Sequence, residues 1–192
     1  MGFYADVSMK DLDRVIRLLK SGRYKVENIG GRISLKYKSR QYYAVNEVSL
    51  HNIAQEVSFR VYEGASTKHP IYPYAMSGDG LIVTCSVGST AYNKSAGGPV
   101  ILDTHVFCAT FINADGPYNS PIVLGCDRKL RVDIVKYEGI LRCDGIEIAM
   151  LHKGDSFMVN ISKKNLRIVR FPSMKEELSD KLDRIIRRRM IR

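Results

Sequence analysis

Between Tyr24 and Arg170 the chain is a succession of short segments rich in Val, Ile, Tyr and Phe, each cut off by a turn. That spacing leaves no room for crossover helices between successive strands, so the pattern argues for a β-rich domain and against βαβ units. The segments predict strands at residues 24–29 and 32–37, joined through Gly30-Gly31 as a hairpin turn. Further strands are expected at 41–50, 56–62, 81–85, 105–112, 122–124, 130–137, 140–143, 157–162 and 166–170. Residues 65–78, holding Pro70, Pro73 and Ser77, read as the most flexible loop.

A helix is expected at each end. Ser8 and Asp11 form a weak capping box before Leu12, Val15, Ile16 and Leu19, which recur at helical spacing, and Gly22 is a natural stop. Residues 174–192 carry Leu178, Leu182, Ile185 and Ile186 on one face, with Ser173 as cap. The expected organisation is therefore an N-terminal helix (1–23), a β-rich domain (24–172) and a C-terminal helix (173–192). With 192 residues, 45% of them apolar, the chain can bury a sizeable core.

The residues also exclude several classes. No apolar run reaches membrane-spanning length, and the N-terminus lacks a basic segment followed by an apolar one, so a cytoplasmic protein without a membrane partner is expected. The four cysteines form no C-x-x-C pair, and the four histidines lie far apart, so no metal site is expected; Cys108, among apolar neighbours, reads as a small core residue. A Ser-hydrolase G-x-S-x-G is missing. The net charge of +10 attracts anions, but much of it sits at Arg184, Arg187, Arg188, Arg189 and Arg192, where cations also complement a helix C-terminus. No nucleic-acid motif accompanies the charge, so a nucleic-acid-binding role rests on charge alone.

Residues 78–100 carry the chemistry. Asp79 stands between two glycines, ahead of Leu81, Ile82 and Val83; then come Gly88-Ser89-Thr90, Tyr92, Ser95 and the pair Gly97-Gly98. Glycines admit close backbone approach, the hydroxyls of Thr90, Tyr92 and Ser95 donate and accept, and ionised Asp79 only accepts. An isolated Gly-Asp-Gly is usually just a turn, but the length and order of this segment point to a pocket for a ligand with flat rings and hydroxyls. Asp144-Gly145 reads instead as a hairpin turn.

In order, Asn46-Glu47, Asp79-Gly80-Leu81-Ile82-Val83, Gly88-Ser89-Thr90-Ala91-Tyr92, Ser95-Ala96-Gly97-Gly98-Pro99, Pro121-Ile122-Val123-Leu124 and Asp144-Gly145 resemble the signature of the NAD kinase family. The resemblance implies the stacked-sheet, β-sandwich-like fold of that family's C-terminal domain. It implies that Asn46 and Glu47 contact the sugar region of NAD, that Asp79, Thr90, Ala91, Tyr92 and Ser95 surround a base, and that Ala114 lines the pocket. NAD would be the substrate and NADP the product. A homo-oligomer is implied as well, with the segment around Ala114 as donor to a neighbouring subunit.

The family's catalytic Asp lies in a GGDG motif of an N-terminal α/β domain, where ATP or polyphosphate and Mg2+ are handled. Here the one near match is Ser77-Gly78-Asp79-Gly80, already part of the later motif. Gly2-Phe3-Tyr4 resembles the family's exit from that domain, so the catalytic residue is unknown, this chain alone is expected to be inactive, and an N-terminal domain is expected from elsewhere, in cis or in trans. Departures from the signature stand at Val87, Ile146 and Ser77. A non-catalytic dinucleotide-binding or assembly module is the alternative.

Overall fold

The computed structural model describes residues 7–102, 105–116, 119–174 and 180. Packing divides the chain into two units, Met1–Ile29 with Arg167–Arg192, and Gly30–Leu166. In the first unit the Ser8 hydroxyl accepts from the Lys10 N–H, and the Ser8 N–H donates to Asp11 at 3.3 Å, so the expected capping box is formed. A 3-10 turn (Met9–Asp11) leads into helix α1 (Leu12–Lys20), which Gly22 ends with a φ of 67°. Leu12, Ile16 and Leu19 of its apolar stripe are exposed. The Arg170 guanidinium donates to Glu27 at 2.7 Å. The expected C-terminal helix and its arginines, and Gly2-Phe3-Tyr4, lie outside the described residues, save Ser173, Met174 and Asp180.

In chain order, β1 (Lys25–Tyr37) and β2 (Arg40–Ala44) form a hairpin, followed by β3 (Glu47–Asn52), β4 (Val57–Glu63), β5 (Met76–Gly78) and β6 (Gly80–Cys85). After the short helix α2 (Tyr92–Ser95) come β7 (Val106–Ile112), β8 (Ile122–Gly125), β9 (Lys129–Lys136), β10 (Gly139–Cys143), β11 (Ile146–Leu151) and β12 (Ser156–Arg170). They assemble into two six-stranded sheets, ordered β2-β1-β12-β9-β4-β5 and β11-β10-β3-β6-β7-β8. Every pair in the second sheet is antiparallel. Phe59 of β4 stacks on Phe111 of β7 at 6.1 Å, so the sheets pack face to face, and Leu35, Leu50, Leu81, Val132 and Leu141 fill the layer between them. The mainly β fold expected from the strand spacing, with the stacked sheets that the resemblance implies, is the fold observed.

Gly30-Gly31 is not a turn. It lies inside the 13-residue strand β1, and the hairpin turns instead at Lys38-Ser39, with Lys38 at a φ of 52°. Gly31 is needed for proximity, since a Cβ there would stand 2.5 Å from the Ser162 carbonyl oxygen. The expected strand 41–50 is two strands in different sheets, broken at Val45-Asn46, while 157–162 and 166–170 are one 15-residue strand. β5 and β11 are additional. Residues 65–78 end in β5, and before it the Ile71 N–H reaches the Val61 carbonyl at 2.8 Å and Tyr72 packs edge-on to Phe111 at 5.8 Å.

None of the four cysteines is in a disulfide. Cys85, Cys108 and Cys143 are buried, and burial pushes their thiols up, Cys108 to about 11 and Cys143 to about 12. A thiol reagent at pH 8 should therefore label half-buried Cys126 quickly in native protein, and the other three only after denaturant; fast native labelling of Cys108 would contradict this packing.

Candidate functional site

The site is built on the outer face of the second sheet. Along β3, Val48 and Leu50 point into the core, so Glu47, Ser49 and His51 share the opposite face. Across from them stand Thr84, Ile82 and Gly80 of β6, and Arg142 and Ile140 of β10 face Ser49 and His51. Ser49, Thr84 and Thr110 are nevertheless buried, because the segment from Ser86 to Ile101 covers this face.

Asn93 fastens that cover. Wholly buried, it accepts the Thr110 hydroxyl at 2.7 Å and donates to the Pro99 carbonyl at 2.9 Å. Gly98 is required beside it, since any Cβ would strike the Asn93 amide and the Thr110 hydroxyl. The Ser89 hydroxyl donates to the Ser86 carbonyl at 2.9 Å and accepts the Ile101 N–H at 3.0 Å. Thus Ser89 of the signature, and Asn93 just after Tyr92, hold the backbone together. Thr90 is buried, Ala91 is half-buried, and Tyr92 and Ser95 are exposed. The Tyr92 ring stacks with His51, centroids 5.7 Å apart and planes 17° from parallel, and 38% of the residue is exposed.

At one end of β3, Asp144 shapes the Asn46-Glu47 corner. Its carboxylate accepts the N–H groups of Val45 and Asn46 at 2.7 Å and of Glu47 at 3.1 Å. Asp144 and Gly145, at φ 48° and 81°, form the expected two-residue turn between β10 and β11. The Asn46 carbonyl accepts the Thr84 hydroxyl at 2.6 Å, and Gly88 packs so closely on that carbonyl that a side chain there is impossible. Burial, and next the Asp144 charge, raise the Glu47 carboxyl above the usual carboxylate range.

At the other end, Asp79 links β5 and β6. One carboxylate oxygen accepts the Asn52 amide at 2.9 Å and the other the Asn113 amide at 2.6 Å. Gly78 gives Ala114 room, as a Cβ would stand 2.7 Å from the Ala114 Cα, and Gly80, at φ 145°, lies against the Leu50 carbonyl. Asp79 and Ala114 are thus neighbours, His51-Tyr92 is next along the face, and Asn46-Glu47 lies four residues up β3 from His51, about 13 Å away. The sequence reading missed Asn93, His51, Asn52, Asn113 and the capping role of Asp144. His51 stands one residue past the expected strand 41–50, and only the observed β3 puts it on the face of Glu47 and Ser49. Val87 is buried, and Ile146 is exposed at the start of β11, just after Asp144-Gly145.

Residues 66–171, more than half of the chain, match the model of the ATP-NAD kinase C-terminal domain. The chain belongs to the NAD kinase family. NAD kinases from Sulfurimonas denitrificans (26% identity, 93% of this chain and 65% of that one), Wolinella succinogenes (29%, 88% and 59%) and Aeromonas salmonicida (31%, 88% and 60%) are similar to it. The chain therefore spans under two thirds of the length of these relatives. Two solved structures share the fold: yeast NADH kinase complexed with NADH (TM-score 0.79, 22% identity, 97% of this chain and 54% of that one) and an NAD kinase from Archaeoglobus fulgidus in complex with ATP (0.72, 20%, 96% and 69%). The family match takes in Asp79, Tyr92 and Ala114, while Asn46-Glu47 lies ahead of it.

Two outcomes follow from this geometry. Asn93→Ala strands a buried threonine hydroxyl and frees the Pro99 carbonyl, and should cost on the order of 3 kcal/mol in urea denaturation. Because the folded protein raises the Glu47 pKa, its ionised form opposes folding above pH 4.5, the ordinary value. Glu47→Gln should therefore melt higher than wild type at pH 7, the gain vanishing as the pH falls below that value; a gain that persists in acid would refute the burial argument.

Proposed function

We propose that this chain holds NAD on the outer face of the second sheet and presents the adenosine ribose 2′-hydroxyl for phosphorylation to NADP. The observation that carries this reading is the placing of one acceptor group, one exposed aromatic ring and one acid-bearing corner along a single strand, in a chain of the NAD kinase family. Asp79 accepts from a polar edge of the ligand, and Tyr92 packs on its base beside Thr90, Ala91 and Ser95. Asn46 and Glu47 meet its sugar hydroxyls, and Ala114 lines the Asp79 end.

The phosphoryl donor is handled elsewhere. Among the described residues no group of three or more His, Cys, Asp or Glu side chains comes together to hold a metal ion. No transfer step is assigned to the residues present. ATP or polyphosphate with Mg2+ belongs, in this reading, to a GGDG-bearing α/β domain of the same protein or of another chain. Cytoplasmic location and homo-oligomeric assembly, with the Ala114 segment reaching a neighbouring subunit, are part of the same proposal.

Calorimetry should detect NAD binding by the chain alone, and adding a GGDG-bearing domain with ATP and Mg2+ should yield NADP. Asp79→Asn should weaken NAD binding about tenfold or more, the scale of a lost hydrogen bond to a charged acceptor, and Glu47→Ala should abolish NADP formation. NAD binding without turnover in the restored protein would make the chain a non-catalytic dinucleotide module. No NAD binding, with salt-sensitive binding of RNA instead, would overturn the proposal.

A further inference from the structure

We propose that His51 is a positioning residue for the base: it stacks against one face of the exposed Tyr92 ring and so fixes the ring at the height and angle at which a flat heterocycle packs on it. The inference rests on the reading that Tyr92 packs on the base of NAD.

Tyr92 begins a helix of only four residues, in a segment with a glycine pair a few residues on. An exposed tyrosine on so short an element samples several rotamers unless something fixes it. Among the described residues no hydrogen bond to the Tyr92 hydroxyl does this; the ring instead stacks with the imidazole of His51, nearly parallel with centroids 5.7 Å apart. His51 is itself anchored. It comes from a central strand, β3, flanked by β10 and β6, and its Nε2 lies 3.0 Å from the Ser49 hydroxyl, which is buried. Rigidity therefore passes from the sheet, through Ser49 and His51, to a ring on a short covering helix.

The surroundings favour the neutral imidazole, which stacks without bringing a charge beneath the base. Burial lowers the His51 pKa first, and Arg142 of β10 lowers it further, while Asp79 opposes both. Glu47 shares the strand face but lies four residues away. A ligand arriving at a ring already fixed loses less freedom on binding, which is how a contact behind the site becomes affinity.

The test is a double-mutant cycle read by NAD calorimetry on wild type, His51→Ala, Tyr92→Ala and the double variant, with His51→Phe as the conservative replacement and circular dichroism melts on each. His51→Ala should weaken NAD binding about three- to tenfold, the range of a lost aromatic pair. His51→Phe, which keeps a flat ring but not the Ser49 bond, should recover part of the affinity, binding between the Ala variant and wild type. The double variant should bind no worse than Tyr92→Ala. The inference is overturned if His51→Ala binds like wild type, if the Phe variant is as weak as the Ala variant, or if the two losses simply add. A Tyr92→Ala variant with undiminished affinity would sink the underlying reading of the base contact, and a weak Tyr92→Ala beside a normal His51→Ala would sink the positioning role alone.

Discussion

The buried amide of Asn93 holds the covering segment to the sheet, and the site depends on it. Hydrogen bonds to a side chain without access to water are costly to leave unmade, so Asn93 forces Thr110, Pro99 and the Ser89 turn into one arrangement. Gly88 and Gly98 serve the same closeness, being the places where backbone or amide approaches too near for a Cβ. With the segment seated, Tyr92 comes to rest over His51.

Charge is arranged around that frame with opposite purposes at the two ends of β3. Asp144 spends its carboxylate on three backbone N–H groups and thereby folds the Asn46-Glu47 corner, but its charge also helps keep Glu47 harder to ionise. Asp79 is instead satisfied on both oxygens by neutral amides, Asn52 and Asn113, which orient it while adding no countercharge. An acid whose oxygens each take one amide keeps lone pairs for a ligand's donors.

Much of the fold was legible because alternation and turn chemistry are local. The Ser8-Asp11 box, the Gly22 stop, the Asp144-Gly145 turn and most strands were read from neighbouring residues alone. The misreadings share a cause. Gly30-Gly31 looks like a turn from within the chain, and only the proximity of Ser162 explains why Gly31 has no side chain. The break at Val45-Asn46 depends on Asp144, about a hundred positions on, and no local signal announces it. In the site, the signature residues were visible as types, yet which of them serve the ligand and which serve the backbone was not. Ser89 and Thr90 are adjacent hydroxyls, and only the packing shows that the first is consumed internally.

β3 carries core side chains on one face and Glu47, Ser49 and His51 on the other. Its register is consequently shared property: a slip by one residue would bury the site and expose Val48 and Leu50 together. Insertions or deletions in this strand can therefore not drift as neutral changes that spare folding and merely retune the ligand face. Divergence in what the molecule holds has to proceed by substitution here, or by remodelling the covering segment, whose length is not locked to the pleat.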